Sequence, residues 1–157
     1  MKRIALAILL CASTSGAQRL SEVTQAIAGA HRELIVVLPQ LARTDIAKAI
    51  KQAAAQGTRV FVIYPVANVK GGGYLLNISH GPDTISTYLF KGTVPVPWIM
   101  VDGSWVVTGA GLDDQAGQDL RVVQDRPTLV RLNQFARQVT AGGPTDRVEI
   151  VKQRYAR

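Results

Sequence analysis

At 157 residues the chain has the length of one domain with enough residues to bury a sizeable core. Apolar residues make up 47% and charged residues 18%, which excludes a disordered or low-complexity chain. The formal charge of +7 favours anionic partners such as nucleic acid or headgroups, although a basic protein with solvated charges has the same composition.

Lys2 and Arg3 precede the apolar run Ile4 to Cys11, and the small residues Ser13 to Ala17 follow it. With Ser15 and Ala17 at the minus-three and minus-one places, residues 1–17 are expected to be a signal peptide cleaved before Gln18. The remaining domain, 18–157, would be exported to the periplasm or secreted. The apolar run is far shorter than the ~20 residues a membrane-crossing helix needs, so no permanent span is expected. Cys11 is the single cysteine and raises a lipid-attachment alternative, against which stand Leu9 and Leu10, where such a box wants small residues. Without Lys2 and Arg3 the charge falls from +7 to +5.

Leu20, Val23, Ile27 and Ala30 fall on one helix face, with Ser21 near the start, which predicts an opening helix over Leu20 to Ala30. Leu34 to Leu38 is a continuous apolar run closed by Pro39, the signature of a strand buried on both faces. Thr44 and Asp45 are candidate caps for a helix whose buried stripe is Ile46, Ala49, Ile50, Ala53 and Ala54, with Gly57 as its left-handed stop. Arg59 to Tyr64 reads as the next strand, completing a βαβ unit.

Residues 65 to 83 are rich in Gly and Pro and read as loop, with a helical turn around Tyr74 to Ile78. Ser86 to Phe90 is a strand. Trp98 to Asp102 and Ser104 to Thr108 form two more around Asp102-Gly103, a hairpin signal. After a last strand, Leu120 to Gln124, Asp125 and Pro127 start a helix reaching about Ala141, with Leu129, Leu132, Phe135, Ala136 and Val139 toward the core. The expected class is α/β, a mixed, largely parallel sheet flanked by helices.

The order helix, strand, helix, strand, loop, strand and hairpin, with the stretch PVPWIMVDGSWVVTGAGL, resembles the phospholipase D superfamily and within it the small secreted single-motif bacterial endonucleases. The resemblance covers roughly Leu20 to the end of the chain and implies a phospholipase D-like single domain. In that family an H-x-K-x-x-x-x-D motif and a following G-S-x-N segment serve phosphodiester cleavage. A neutral histidine attacks phosphorus, a second protonates the leaving oxygen, and lysine and asparagine stabilise the phosphoryl charge. Here the histidine position falls on Pro95 and the lysine position on Pro97, while serine and asparagine fall on Ala110 and Leu112. Asp102 and Gly109 keep the pattern, and a glutamate of the family falls near Gln118. Proline has no nucleophile, proton or charge to offer, and loss of a general acid alone typically costs ~10²–10⁴ in rate. The resemblance therefore implies a pseudoenzyme.

His31 sits at a helix end beside Arg32 and reads as a surface residue. His80, in the Gly/Pro loop, is the one candidate for a substitute nucleophile. No metal-binding set and no cofactor motif are present in the sequence. Val69 to Gly73 reads as a flexible connector, with Lys70 and its neighbouring N–H groups as the alternative of a phosphate contact. Trp98 and Trp105 are expected to pack, and Asp102 to serve its turn. Single-motif relatives assemble their site across a twofold dimer, which makes Val94 to Met100 a candidate homodimer face here, with Val94, Val96, Trp98 and Met100 buried against the partner.

Three functions stay open. The first is a non-catalytic binding or scaffold domain holding nucleic acid or another phosphate polymer through Lys70, Lys91 and nearby arginines. The second is a phosphodiesterase or nuclease with an altered site. The third is a structural subunit of an envelope assembly.

Overall fold

β1 (Glu33–Val37) and β2 (Arg59–Pro65) are parallel neighbours, with Val36 opposite Val62. The computed structural model describes residues 16–81, 83–117 and 119–156. The signal-peptide reading over 1–15, Cys11 with it, and Gln118 lie outside the described residues. α1 (Gly16–Ala28) begins earlier than its apolar periodicity suggested, so Ser21 stands inside the helix.

β3 (Ile85–Phe90) joins the outer side of β2 in parallel. β4 (Trp98–Val101) runs antiparallel to β1, β5 (Trp105–Thr108) antiparallel to β4, and β6 (Arg121–Val123) antiparallel to β5. The six-stranded order is β3-β2-β1-β4-β5-β6. The sheet is mixed, as expected, but its parallel part is confined to β1, β2 and β3. The β4–β5 hairpin, whose tight turn can join only antiparallel strands, and the short β6 supply the rest.

Both faces of β1 are covered, which is why its side chains are apolar without alternation. Leu34 and Val36 join a core built with α1, α2 (Thr44–Ala55), α3 (Leu75–Ser79) and Ile150 of α5 (Arg147–Tyr155). Ile35 and Val37 face the other way, toward α4 (Arg126–Thr140), whose Ala136 is buried among Ile63, Tyr88, Trp98, Met100 and Val106. Leu129, Leu132, Phe135 and Val139 pack there half-buried, as their spacing predicted.

α2 buries Ile46, Ala49, Ile50, Ala53 and Ala54, and Gly57 takes φ 91° at its end, as read from the sequence. Its start differs. Arg43 is the N-cap residue and its side chain does not cap the helix, Thr44 lies in the first turn with its hydroxyl on the Tyr74 hydroxyl, and Asp45 pairs with Arg43 at 2.8 Å. That carboxylate also accepts from the Ile46 N–H at 2.9 Å, so Asp45 serves the first turn from within it and not as its cap. α4 is capped as expected, Asp125 accepting from the Thr128 N–H at 2.9 Å.

The connection after β2 is a 3₁₀ turn, Val66–Gly71, followed by α3, where the sequence suggested irregular chain up to Tyr74. Val69 is buried, and the Arg154 guanidinium of α5 donates to the carbonyls of Val69 and Gly72 at 2.8 and 2.9 Å. α5 has no counterpart among the expected elements. The linker leading to it covers the outer edge of β3: the Thr145 N–H donates to the Thr87 carbonyl at 2.7 Å, and the Leu89 N–H to the Thr145 hydroxyl at 3.0 Å.

Candidate functional site

Strand directions place the carboxyl ends of β1, β2, β3 and β5 at one pole, together with the amino ends of β4 and β6. The loops meeting there are 38–43, 66–74, 91–97 and 109–120. Every motif-equivalent position except Asp102 belongs to this pole.

Pro95 and Pro97 lie in the β3–β4 connection and not on a strand, since β4 begins at Trp98. Pro95 is exposed and Pro97 buried. The Pro97 carbonyl accepts from the Gly109 N–H and the Thr108 hydroxyl, both at 3.1 Å. The two segments singled out in the sequence are thus in direct contact. Gly109 has φ 131°, and a Cβ there would sit 2.1 Å from the Asp119 carbonyl oxygen, so only glycine fits. Ala110 is exposed and Leu112 is fully buried in the core. None of Pro95, Pro97, Ala110 and Leu112 has a titratable or hydrogen-bonding side chain.

The polar residues of this pole are others. Asp113, 7% exposed, accepts from the N–H groups of Gln40 and Ala42 at 2.7 and 2.8 Å. Burial pushes its carboxyl up, and Asp114 adds to this, while the N–H groups of Ala42, Gln40 and Leu41 pull the other way. The Tyr64 hydroxyl donates to the Gln40 carbonyl at 3.1 Å and is pushed up to about 12, first by burial and then by the Asp113 charge. Asn68 donates to the Pro39 carbonyl at 2.7 Å, and Arg43 to the Asp114 carbonyl at 3.1 Å. This set clamps the loop after β1, where Leu41 takes φ 51°. Sequence reading missed Asp113; its signal was an Asp-Asp pair immediately after the motif-like stretch.

Lys70 lies in the last turn of the 3₁₀ segment and Lys91 follows β3, and both stand exposed at this pole. His80 does not join them. It caps the far end of α3, one residue before Gly81 and near the start of β3, while Tyr74 at the other end of α3 meets the pole through its N–H on the Leu41 carbonyl. His31 is exposed beyond α1. No cluster of three or more His, Cys, Asp or Glu suited to a metal ion occurs among the described residues.

Asp102 lies at the opposite end of the sheet with φ 51°, followed by Gly103 at φ 67°. It does more than form the turn. Its carboxylate accepts from the N–H groups of His31, Arg32 and Glu33, at 2.7 Å from Arg32, which fastens the hairpin to the start of β1. Burial alone would raise this carboxyl, but those donors and the Arg32 charge outweigh it and hold it below the usual range.

The expected burial of Trp98 and Met100 against a partner needs correction. Trp98 and Met100 are buried by the chain's own α4, with Trp98 against Phe135 at 6.3 Å between ring centres, and Val94 packs on the same cluster. Val96 alone of the four stays open, at 50% exposure. Trp105 packs half-buried against the other core. No helix among the described residues is long and apolar enough to cross a membrane.

No protein-family model matches the sequence, and no curated protein matches it either. Solved structures do. NucT from Helicobacter pylori superposes with a TM-score of 0.72 at 16% identity, over 83% of this chain and 92% of that one. Nuc from Salmonella typhimurium, a phospholipase D family member, gives 0.59 at 17% identity, over 76% and 85%. TrmBL2, an archaeal chromatin protein with a novel mode of DNA binding, gives 0.56 at 9% identity, over 85% of this chain and 53% of its own. The architecture is that of the phospholipase D-like fold.

Proposed function

From the phospholipase D-like fold as premise, we propose that this chain is an exported pseudoenzyme that binds nucleic acid or another phosphate polymer without cleaving it. The observation that carries the reading is the pole itself. Pro95, Pro97, Ala110 and Leu112 stand where the resemblance expects the nucleophile, the phosphate clamp and its partners, and their side chains offer no proton, lone pair or charge. Exposed Lys70 and Lys91 on the same pole supply the cations a polyanion needs. The DNA-binding fold neighbour and the basic balance support the choice of ligand class. Export rests on Lys2, Arg3 and the apolar run behind them. A twofold association over Val94 to Met100 would be held by Val96 and the prolines and not by a broad apolar face.

The test is phosphodiesterase activity of the purified chain on a chromogenic diester and on plasmid DNA, beside a DNA-binding titration over salt. Expected are no turnover at any pH and binding that weakens steeply with salt, more weakly still in Lys70→Gln/Lys91→Gln. Turnover that survives repurification overturns the reading.

A further inference from the structure

α4 is the one described helix on its face of the sheet, and its charge is of one sign. Arg126, Arg131 and Arg137 lie in it, with no Asp or Glu between Arg126 and Thr140. None of the described ion pairs involves it. Between this helix and the β4–β5 turn runs an open groove of about 440 Å³, lined by Gly103, Arg126, Leu129, Val130, Asn133 and Arg137, with Gln134 beside them. We propose that this groove is a binding site for a single nucleic-acid strand, separate from the pole that carries Pro95 and Pro97.

Arg126 and Arg137 stand eleven residues apart on the exposed side, a rise of about 16 Å, so they can hold different phosphates of one strand. Arg137 is oriented by its Nε–H on the Asn133 side chain at 3.0 Å. A further cation stands at the mouth, where the Arg32 guanidinium donates to the Asp102 carbonyl at 2.7 Å, next to Gly103. Three carboxylates stand nearby, Asp102 held by three N–H groups, Asp125 by Thr128 and Glu33 by Arg59 at 3.4 Å, and none of them lines the groove. Between the cations, Val130 at 47% exposure gives an apolar floor, and the amides of Asn133 and Gln134 can donate and accept. A base can use that floor and those amides, whereas a bare phosphate chain has no use for them.

The inference rests on the pole reading only for the class of ligand. The test is fluorescence anisotropy of labelled oligothymidylate with the full chain over a salt series, comparing Arg126→Gln/Arg137→Gln with Lys70→Gln/Lys91→Gln. Neutralising two strand phosphates at about 0.7 each, the arginine pair is expected to flatten the slope of log K against log salt by about 1.4. The melting temperature should stay as in the parent, since both arginines are exposed. A wild-type slope in the arginine variant overturns the site; if the lysine variant alone then loses slope, the pole reading stands without it. No binding by the parent overturns both. Duplex DNA or inorganic polyphosphate competing as well as the unlabelled strand overturns the commitment to a single strand.

Discussion

Asp102 and Asp113 are carboxylates of one protein whose environments push in opposite directions. Asp102 gathers three N–H groups at the start of β1 and is held below its ordinary value, so its contribution to stability is complete above the unfolded value near 3.8 and is lost as pH falls through the lower folded value. Asp113 is raised by burial, so its share of stability declines as pH climbs from the unfolded value through the raised folded one. Asp102→Asn keeps a residue that tolerates φ 51° but removes the charge and one acceptor. It is expected to cost about 1–2 kcal/mol at neutral pH, with the gap to the parent closing in acid. Urea midpoints at neutral pH and below pH 3 check this; an equal gap at both would mean that the carboxylate charge contributes nothing there.

Among the elements, those built on local periodicity were legible. The βαβ unit declared itself through the apolar run at Leu34 to Leu38, the stripe from Ile46 to Ala54 and the stop at Gly57. The hairpin did so through Asp102-Gly103, which takes the two positive φ values such a turn needs. α5 did not, because of its apolar residues Ile150 alone is fully buried, while Val148 and Tyr155 are exposed. Its one local signal was Asp146 followed by Glu149, and Asp146 does cap the helix through the Val148 N–H at 2.6 Å. The 3₁₀ turn was missed for a related reason: the group that fixes its carbonyls, Arg154, is more than eighty residues away. Arg154→Gln is expected to cost about 1.5–3 kcal/mol, the range for bonds from a charged donor, and to loosen Val69 to Gly73 in hydrogen exchange before the rest of the chain. Uniform loosening would mean that α5 is not an independent clamp.

For the whole molecule, the motif-like segments were found in the sequence and meet in the fold, Pro97 on Gly109, but what fills the pole between them was not readable. Asp113 reaches back more than seventy residues to Gln40 and Ala42, and no spacing rule joins such positions. The same limit explains the expectation that a second subunit covers Trp98 and Met100. Apolar residues at Trp98 and Met100 read alike whether a second subunit or the chain's own α4 covers them, and here α4 does. Light scattering at high concentration is accordingly expected to give a monomer mass. A dimer that Val96→Asp splits would restore an interface over Val94 to Met100.

The contact of Thr145 with β3 has a consequence in time. A chain leaving the ribosome presents β3 long before Thr145 arrives, and until then the Thr87 carbonyl and the Leu89 N–H stand open as a template for any other extended segment. Thr145 follows Leu89 by more than fifty residues, so this edge stays open until that later segment has been made. Shortened products ending before Thr145 would therefore emerge with an adhesive border, prone to recruit one another, whereas full-length molecules carry their own stopper.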